Sequence, residues 1–466
     1  MITKLPQRLG IALVLGFLAL TLSWIQNDQL LRDGDEEGHV GAAELFLQDF
    51  HEGDFPKAAH RLFIADMGDY PSLYPALVGT WWYTNGSGLP SDPRIRSINL
   101  LFPLLAGLAL LVIARDAGRG PALLAGACVL HLPLVAGLSR HFMPEGALVA
   151  AVALAVAAAS QQRRRPNPRS AMILGLAIGL GLLTKQTFIF YLLPVLWLVQ
   201  WKPSLLLALP CAALALPWIL NNASDQWAYS AASVTQGGSV TLLDHLLFYP
   251  RVLASSGLGW AWCGLVLGAA AIAWRSRYRR LVLLGCVWVL GTLVLLTMVP
   301  KKYDRLLAPL LPGAAVVIAA GVAARPRLSP FVLVPVAWTT WFSWAPGSVV
   351  HTPSTEFQPG CPQVWLRPPD ARDPGLNALV SAVKTHQPER LLILGAPEIP
   401  CEIQTTFGWG NHVGPYLRRS GVDLPIATEG EPSRSDLLVD FQSGNEQNPV
   451  VVELLDTQYF LRRGGE

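Results

Sequence analysis

The stretch "LLRDGDEEGHVGAAELFLQDFHEGDF", Leu30 to Phe55, decides how the chain is to be read. It follows directly on the first long apolar run and sets Asp33, Asp35, Glu36, Glu37 and His39 against a membrane edge, where an ionised group is costly unless it is hydrated or used. After His39, "VGAAELFLQDF" spaces Val40, Ala43, Leu45, Phe46 and Phe50 at three to four residues, the pattern of an amphipathic helix lying on a membrane surface. "YPSLYPALVGTWWYTNG" follows, with prolines at a helix start and Trp81, Trp82 and Tyr83 suited to the interfacial belt. The carboxylates therefore sit at the bilayer rim. Their plainest role is that of an N-terminal helix turn, where Asp and Glu complement the dipole.

Composition agrees with a membrane setting. Of 466 residues 52% are hydrophobic and 14% charged, against roughly 25% charged in ordinary soluble domains. The net charge of +3 is small, and no Lys/Arg run is interleaved with aromatics, so a nucleic-acid partner is excluded. Apolar runs near 9–25, 98–114, 120–138, 145–160, 170–184, 187–200, 204–220, 257–274, 281–299, 307–323 and 329–345 predict about eleven transmembrane helices.

Loop charges orient them. Met1 to Arg8, "ARDAGRG", "QQRRRPNPRS", "WK", "WRSRYRR" and "AARPRLS" all carry Lys or Arg and alternate correctly with the N-terminus in the cytoplasm. The first run has no small-x-small cleavage site after it and reads as a retained anchor. The opposite face holds the first outer loop 30–97, with its juxtamembrane helices, the loop around Arg140, the loop 221–256, and the tail. The predicted organisation is an all-α polytopic membrane domain over 1–345 and a small extracytoplasmic α/β domain over 346–466.

Within the tail, "PGLNALVSAVKTH" and "NHVGPYLRRSG" have helical spacing, whereas "RLLILGAP", "DLLVDF" and "VVVELLD" are strand-like. Cys128, Cys211, Cys263 and Cys286 fall in apolar runs. Cys361 and Cys401 fall in the tail, where an oxidising compartment would permit a disulfide between them.

The chemistry is signalled by cations on the face where they are not expected. Positive-inside bias would strip the outer loops of Lys and Arg, yet Arg140 in "LSRHFMPEG", Lys185 in "LLTKQTF", and Lys301, Lys302 and Arg305 in "VPKKYDRLLAPLLP" all map there. Snorkelling to headgroups accounts for any one of them, but five together call for an anion. Glu145, after Pro144 at a helix start, reads either as a helix-start charge or as a second active-site acid. Carboxylates able to take a proton and cations able to hold a phosphate suit group transfer from a lipid phosphate.

Several segments resemble one family. "GDEEGHVGAAELF", "DYPSLYPALVG", "RSINLLFPLLAGLALLVIARDAGRGPALLAGACVLHLPLVAGLSRHFMPEGALV", "GLLTKQTF" and "KKYDRLLAPLLPGAAVV" resemble, in order and spacing, segments of the polytopic GT-C glycosyltransferases. The branch resembled holds the protein O-mannosyltransferases, the lipid A aminoarabinose transferase and related bacterial enzymes that use polyprenyl-phosphate sugar donors. The resemblance spans about residues 8–325 and leaves the tail unmatched. It implies transfer of a sugar to an acceptor hydroxyl on a glycan, lipid or protein, with inversion, at the extracytoplasmic face of a bacterial inner membrane. Asp35 matches the family's catalytic acidic residue and is expected to be the general base, with Glu36 and His39 positioning the acceptor or the base.

By the same resemblance Lys185, Lys301, Lys302 and Arg305, with Arg140, are expected to contact the lipid phosphate. Asp69 stands where some relatives carry a basic or His residue, and Ser72 where the family has a second proline. No cofactor is expected. A divalent ion, if one bound, would use Asp33 and Asp35, the Asp-x-Asp spelling of related oligosaccharyl transferases. The competing reading is a transporter or flippase of lipid-linked sugars, which should carry ionisable or helix-breaking positions in mid-span; here the charges gather at the span ends.

Overall fold

In the computed structural model of this chain the described residues are 4–28, 34–65, 71–86, 92–199, 205–235, 241–299, 302–346, 348, 366–369 and 384, with the strands 390–394, 426–427, 436–440, 451–454 and 459–461. Up to residue 346 they are almost wholly helical. Among the described residues six helices are long and apolar enough to cross a membrane: Leu5–Asn27, Pro93–Ile113, Pro144–Arg164, Leu206–Ala228, Arg279–Thr297 and Asp304–Ala324. The bent pair Leu242–Gly257 and Gly259–Trp274 makes a seventh if it forms one span.

The remaining apolar runs are helical but shorter or broken. The run expected over 120–138 divides into Arg119–Leu130 and Pro133–Leu138, because Pro133 opens a new helix and leaves Leu132 extended. The run over 170–184 is Pro168–Thr184, started by a reciprocal cap between Asn167 and Ser170. At the bent pair the axis turns by 102°. Gly259 there has φ of 74°, a conformation that a side chain would resist.

The helix Gly34–Glu52 contains the acidic stretch and packs on Leu73–Asn85. Its buried face is Val40, Ala43 and Phe46, while Leu45 is 38% exposed, so the apolar stripe faces a neighbouring helix and is narrower than the spacing predicted. Close approach requires Gly79: a Cβ there would lie 2.7 Å from the Ala43 carbonyl oxygen. Of the three expected belt aromatics, Trp82 is buried, Trp81 donates to the Arg94 carbonyl, and Tyr83 is exposed.

The centre of the molecule is the segment 124–150, buried at every residue. In the tail, β1 (Arg390–Leu394), β2 (Ile426–Ala427), β3 (Asp436–Asp440), β4 (Val451–Leu454) and β5 (Tyr459–Leu461) form a mixed sheet in the order β2-β1-β3-β4-β5. β1 runs parallel to β2 and β3, with Leu392 opposite Leu438; β4 is antiparallel to β3 and β5. The helices expected in the tail, and Cys361 and Cys401, lie outside the described residues.

Candidate active site

The site is built around Ser139–Gly146, the turn between helices Pro133–Leu138 and Pro144–Arg164. Pro144 occupies the first helical turn and pushes Met143 to extended geometry, φ −121° and ψ 130°, so the side chains before it fan out in different directions. His141 and Phe142 meet Glu36. Glu145 meets Lys185 and Arg305. Arg140 turns elsewhere.

Glu36 is fully buried; its Oε1 accepts the Phe142 amide at 2.7 Å and its Oε2 accepts from His141 Nδ1 at 3.2 Å. Burial by itself would raise the Glu36 pKa, but His141, the nearby Arg96 guanidinium and the Phe142 N–H outweigh it and bring the carboxyl down to about 2. Burial lowers the His141 pKa, against the opposing pull of the Glu36 carboxylate. Glu36 is thus a fixed anion that ties the helix Gly34–Glu52 to the turn, and it is too acidic to serve as a base near neutral pH.

Glu145 lies deeper. Its Oε1 is 2.6 Å from Lys185 Nζ and 3.2 Å from Arg305 Nε, with all three side chains buried, while its Oε2 has no hydrogen-bond partner. Lys185 reaches it from the C-cap of Pro168–Thr184, where extended backbone ends the helix; Arg305 comes from the short helix Asp304–Leu310. Tyr74 lies within the electrostatic reach of both carboxylates. Its hydroxyl bonds Asn99 Oδ1 at 3.0 Å, its ring meets His39 edge-on at 5.9 Å, and burial followed by the charges of Glu36 and Glu145 pushes its pKa well above the usual value. His39 also feels the Glu145 charge. On the far side of Glu145, Tyr191 donates to the Leu306 carbonyl at 2.9 Å.

Arg140 belongs to a second cluster. The guanidiniums of Arg96, Arg140 and Arg367 lie 5.6, 4.9 and 4.8 Å from the ring centroid of buried Trp24. Asp28 accepts from Arg96 at 3.0 Å and from Arg367 at 2.6 Å, and Arg96 also holds the Arg140 carbonyl at 2.9 Å. Arg140 itself donates to Ser343 Oγ at 3.1 Å. Lys302 caps a helix end: its ammonium donates to the carbonyls of Leu296 and Thr297 and lies 5.1 Å from the Tyr249 ring, and burial brings its pKa down to about 8.

Of the residues singled out in the sequence, Glu36, His39, Glu145, Lys185 and Arg305 therefore come together, and Arg140 and Lys302 contact other groups. Asp33 and Lys301 lie outside the described residues; Asp35 is described only as backbone in the first turn of Gly34–Glu52. Among the described residues no group of three or more His, Cys, Asp or Glu is placed to hold a metal ion. Reading the sequence missed Tyr74, Arg96, Asn99 and His141. Arg96 was within reach of the same rule that found Arg140, since "PRIR" precedes a span on the outer side.

The family described as dolichyl-phosphate-mannose-protein mannosyltransferase has a sequence model matching residues 77–224. Two crystal structures of ArnT from Cupriavidus metallidurans are similar in fold. The one bound to undecaprenyl phosphate is 17% identical, with a TM-score of 0.52, covering 67% of this chain and 59% of that one. The apo structure is 15% identical, with a TM-score of 0.58, covering 90% of this chain and 86% of that one. In the first comparison the chain thus spans less than two-thirds of the ArnT length. A comparison with curated proteins finds no match. At these identities the likeness concerns the fold.

Proposed function

The chain has the GT-C polytopic membrane fold, and on that premise we propose that it is a glycosyltransferase moving a sugar from a polyprenyl-phosphate donor to an acceptor hydroxyl. The observation that carries this reading is the buried meeting of Glu145 with Lys185 and Arg305 beside the Glu36 anchor. Two cations share one carboxylate oxygen there, which leaves positive charge for the phosphate of a donor as its glycosidic bond breaks. The ArnT structure with undecaprenyl phosphate supports a lipid of that class.

In the proposed step the acceptor oxygen attacks the anomeric carbon, the bond from that carbon to the phosphate oxygen breaks, and its electron pair leaves with the polyprenyl phosphate, inverting the centre. The acceptor proton passes to Asp35. Glu36 fixes the position of its neighbour by binding the Phe142 amide and His141, so Asp35 starts from an anchored backbone. Lys185 and Arg305 hold the phosphate; Glu145 keeps both cations in place. The reaction is placed at the extracytoplasmic face of a bacterial inner membrane, with the N-terminus in the cytoplasm. The acceptor class, whether protein, lipid or glycan, is left to experiment.

The test is mass spectrometry of lipid extracts and surface glycans from cells with the gene, without it, and with Asp35→Asn. Loss of one sugar from a glycoconjugate, with its polyprenyl-phosphate form accumulating in deletion and variant alike, is expected. Wild-type behaviour of Asp35→Asn, with lipid-linked sugar stranded on the cytoplasmic side in the deletion, would favour transport instead.

A further inference from the structure

A small cavity adjoins the Ser139–Gly146 turn at Arg140. Its wall includes Thr21, His131, Arg140, Thr339, Ser343 and Trp344, and it leaves about 10 Å³ for the centre of a water-sized sphere. That is room for one water or one monatomic ion and is too small for a phosphoryl group.

The polar atoms of its wall are unusual. Thr21 Oγ1, Arg140 Nε, Arg140 Nη1 and Trp344 Nε1 are all buried without a hydrogen-bond partner. Three of these four atoms can only donate, and the hydroxyl can. His131 Nε2 bonds the Leu13 carbonyl, an acceptor, so that nitrogen carries the proton. The nearest charges are cationic in excess: Arg96, Arg140 and Arg367 crowd Trp24, and Asp28 pairs directly with Arg96 and Arg367, whereas Arg140 bonds Ser343. A guanidinium that is 3% exposed and has two idle nitrogens, Nε and Nη1, costs stability unless something accepts from it.

We propose that this cavity is a binding site for a small monovalent anion of the halide class, chloride under ordinary conditions, held by Arg140, Thr21 and Trp344. A halide accepts several donors at once and carries the charge that the cluster lacks; a water must donate as well as accept, and this wall is rich in donors. The site is separate from the proposed transfer chemistry but adjoins it through the backbone, since Arg140 precedes His141, which bonds Glu36.

Thermal unfolding of the full-length protein in detergent micelles, in chloride and in gluconate at equal ionic strength, tests this. Chloride should raise Tm saturably by about 2–4 °C, bromide should do the same, and crystals grown in bromide should give an anomalous peak between Arg140 and Trp344. Thr21→Val with Trp344→Phe removes two donors without changing charge and should weaken the halide effect at least tenfold in concentration; Arg140→Gln should abolish it. If Arg140→Gln does not fold, the double variant decides. Equal Tm in chloride and gluconate, an undiminished effect in the double variant, or bromide density elsewhere would overturn the assignment.

Discussion

Lys185 Nζ lies 2.6 Å from Glu145 Oε1, and the two residues meet at the open end of a helical hairpin: Glu145 opens Pro144–Arg164 and Lys185 closes Pro168–Thr184. The chain travels to the far end of one helix and back to bring them together. Arg305 reaches the same oxygen from a third element, at 3.2 Å. Glu145→Ala leaves two cations buried without their counter-charge and should cost about 3–5 kcal/mol. Lys185→Met combined with Glu145→Gln should recover part of that stability and no transfer activity, as read by thermal unfolding beside a sugar-transfer assay.

Lys185 and Lys302 should separate kinetically. Lys302 has helix-end carbonyls as acceptors, so Lys302→Met should cost about 1–2 kcal/mol of stability and leave the donor KM within about twofold of wild type. Arg305→Met and Lys185→Met should raise donor KM and lower kcat at least tenfold each.

The Glu36 anchor sets a pH window. Its folded pKa of about 2 lies below the ordinary 4.5, so the unfolded chain takes the proton first as pH falls. The stabilisation is complete above about pH 4.5 and is lost as pH drops toward 2. The Tm gap between wild type and Glu36→Gln should therefore persist at all pH values above about 4.5 and close below it. Equal Tm for wild type and Glu36→Gln at pH 7 would show the carboxyl to be far less firmly held.

Gly79→Ala tests whether the helix Gly34–Glu52 must sit where it does. The added methyl would meet the Ala43 carbonyl oxygen and Phe46 Cβ, both at 2.7 Å, and backbone cannot swing aside as a flexible side chain can. A cost of about 1–3 kcal/mol is expected, with a disproportionate fall in kcat because Glu36 and His39 move with that helix.

What could be read from the sequence followed periodicity and charge bias. The apolar runs and the acidic helix were visible because hydropathy and three-to-four spacing are local properties. Lys185, Arg305 and Glu145 were visible as charges at span ends. Their mutual contact was not, because it joins residues 40 and 160 positions apart through a hairpin and a third helix. Arg140 and Lys302 carried the same signal, yet Arg140 turns to Ser343 and Lys302 to the carbonyls at the end of the preceding helix. Charge bias finds the face and does not find the partner. Tyr74 was hidden for another reason, since a Tyr among prolines and tryptophans looks like belt material until Asn99 and His39 are brought beside it.

The Ser139–Gly146 turn has a practical consequence for chimaeras. Its carbonyl at Arg140 is held by Arg96, its amide at Phe142 by Glu36, its guanidinium by Ser343 and its carboxylate by Lys185 and Arg305. Eight consecutive residues are thus moored to five distant stretches of chain. Swapping the turn alone into a protein of the same fold would cut every mooring at once, so the smallest transplantable cassette is the turn together with all of its counterparts, and domain-shuffling breakpoints belong in loops remote from it.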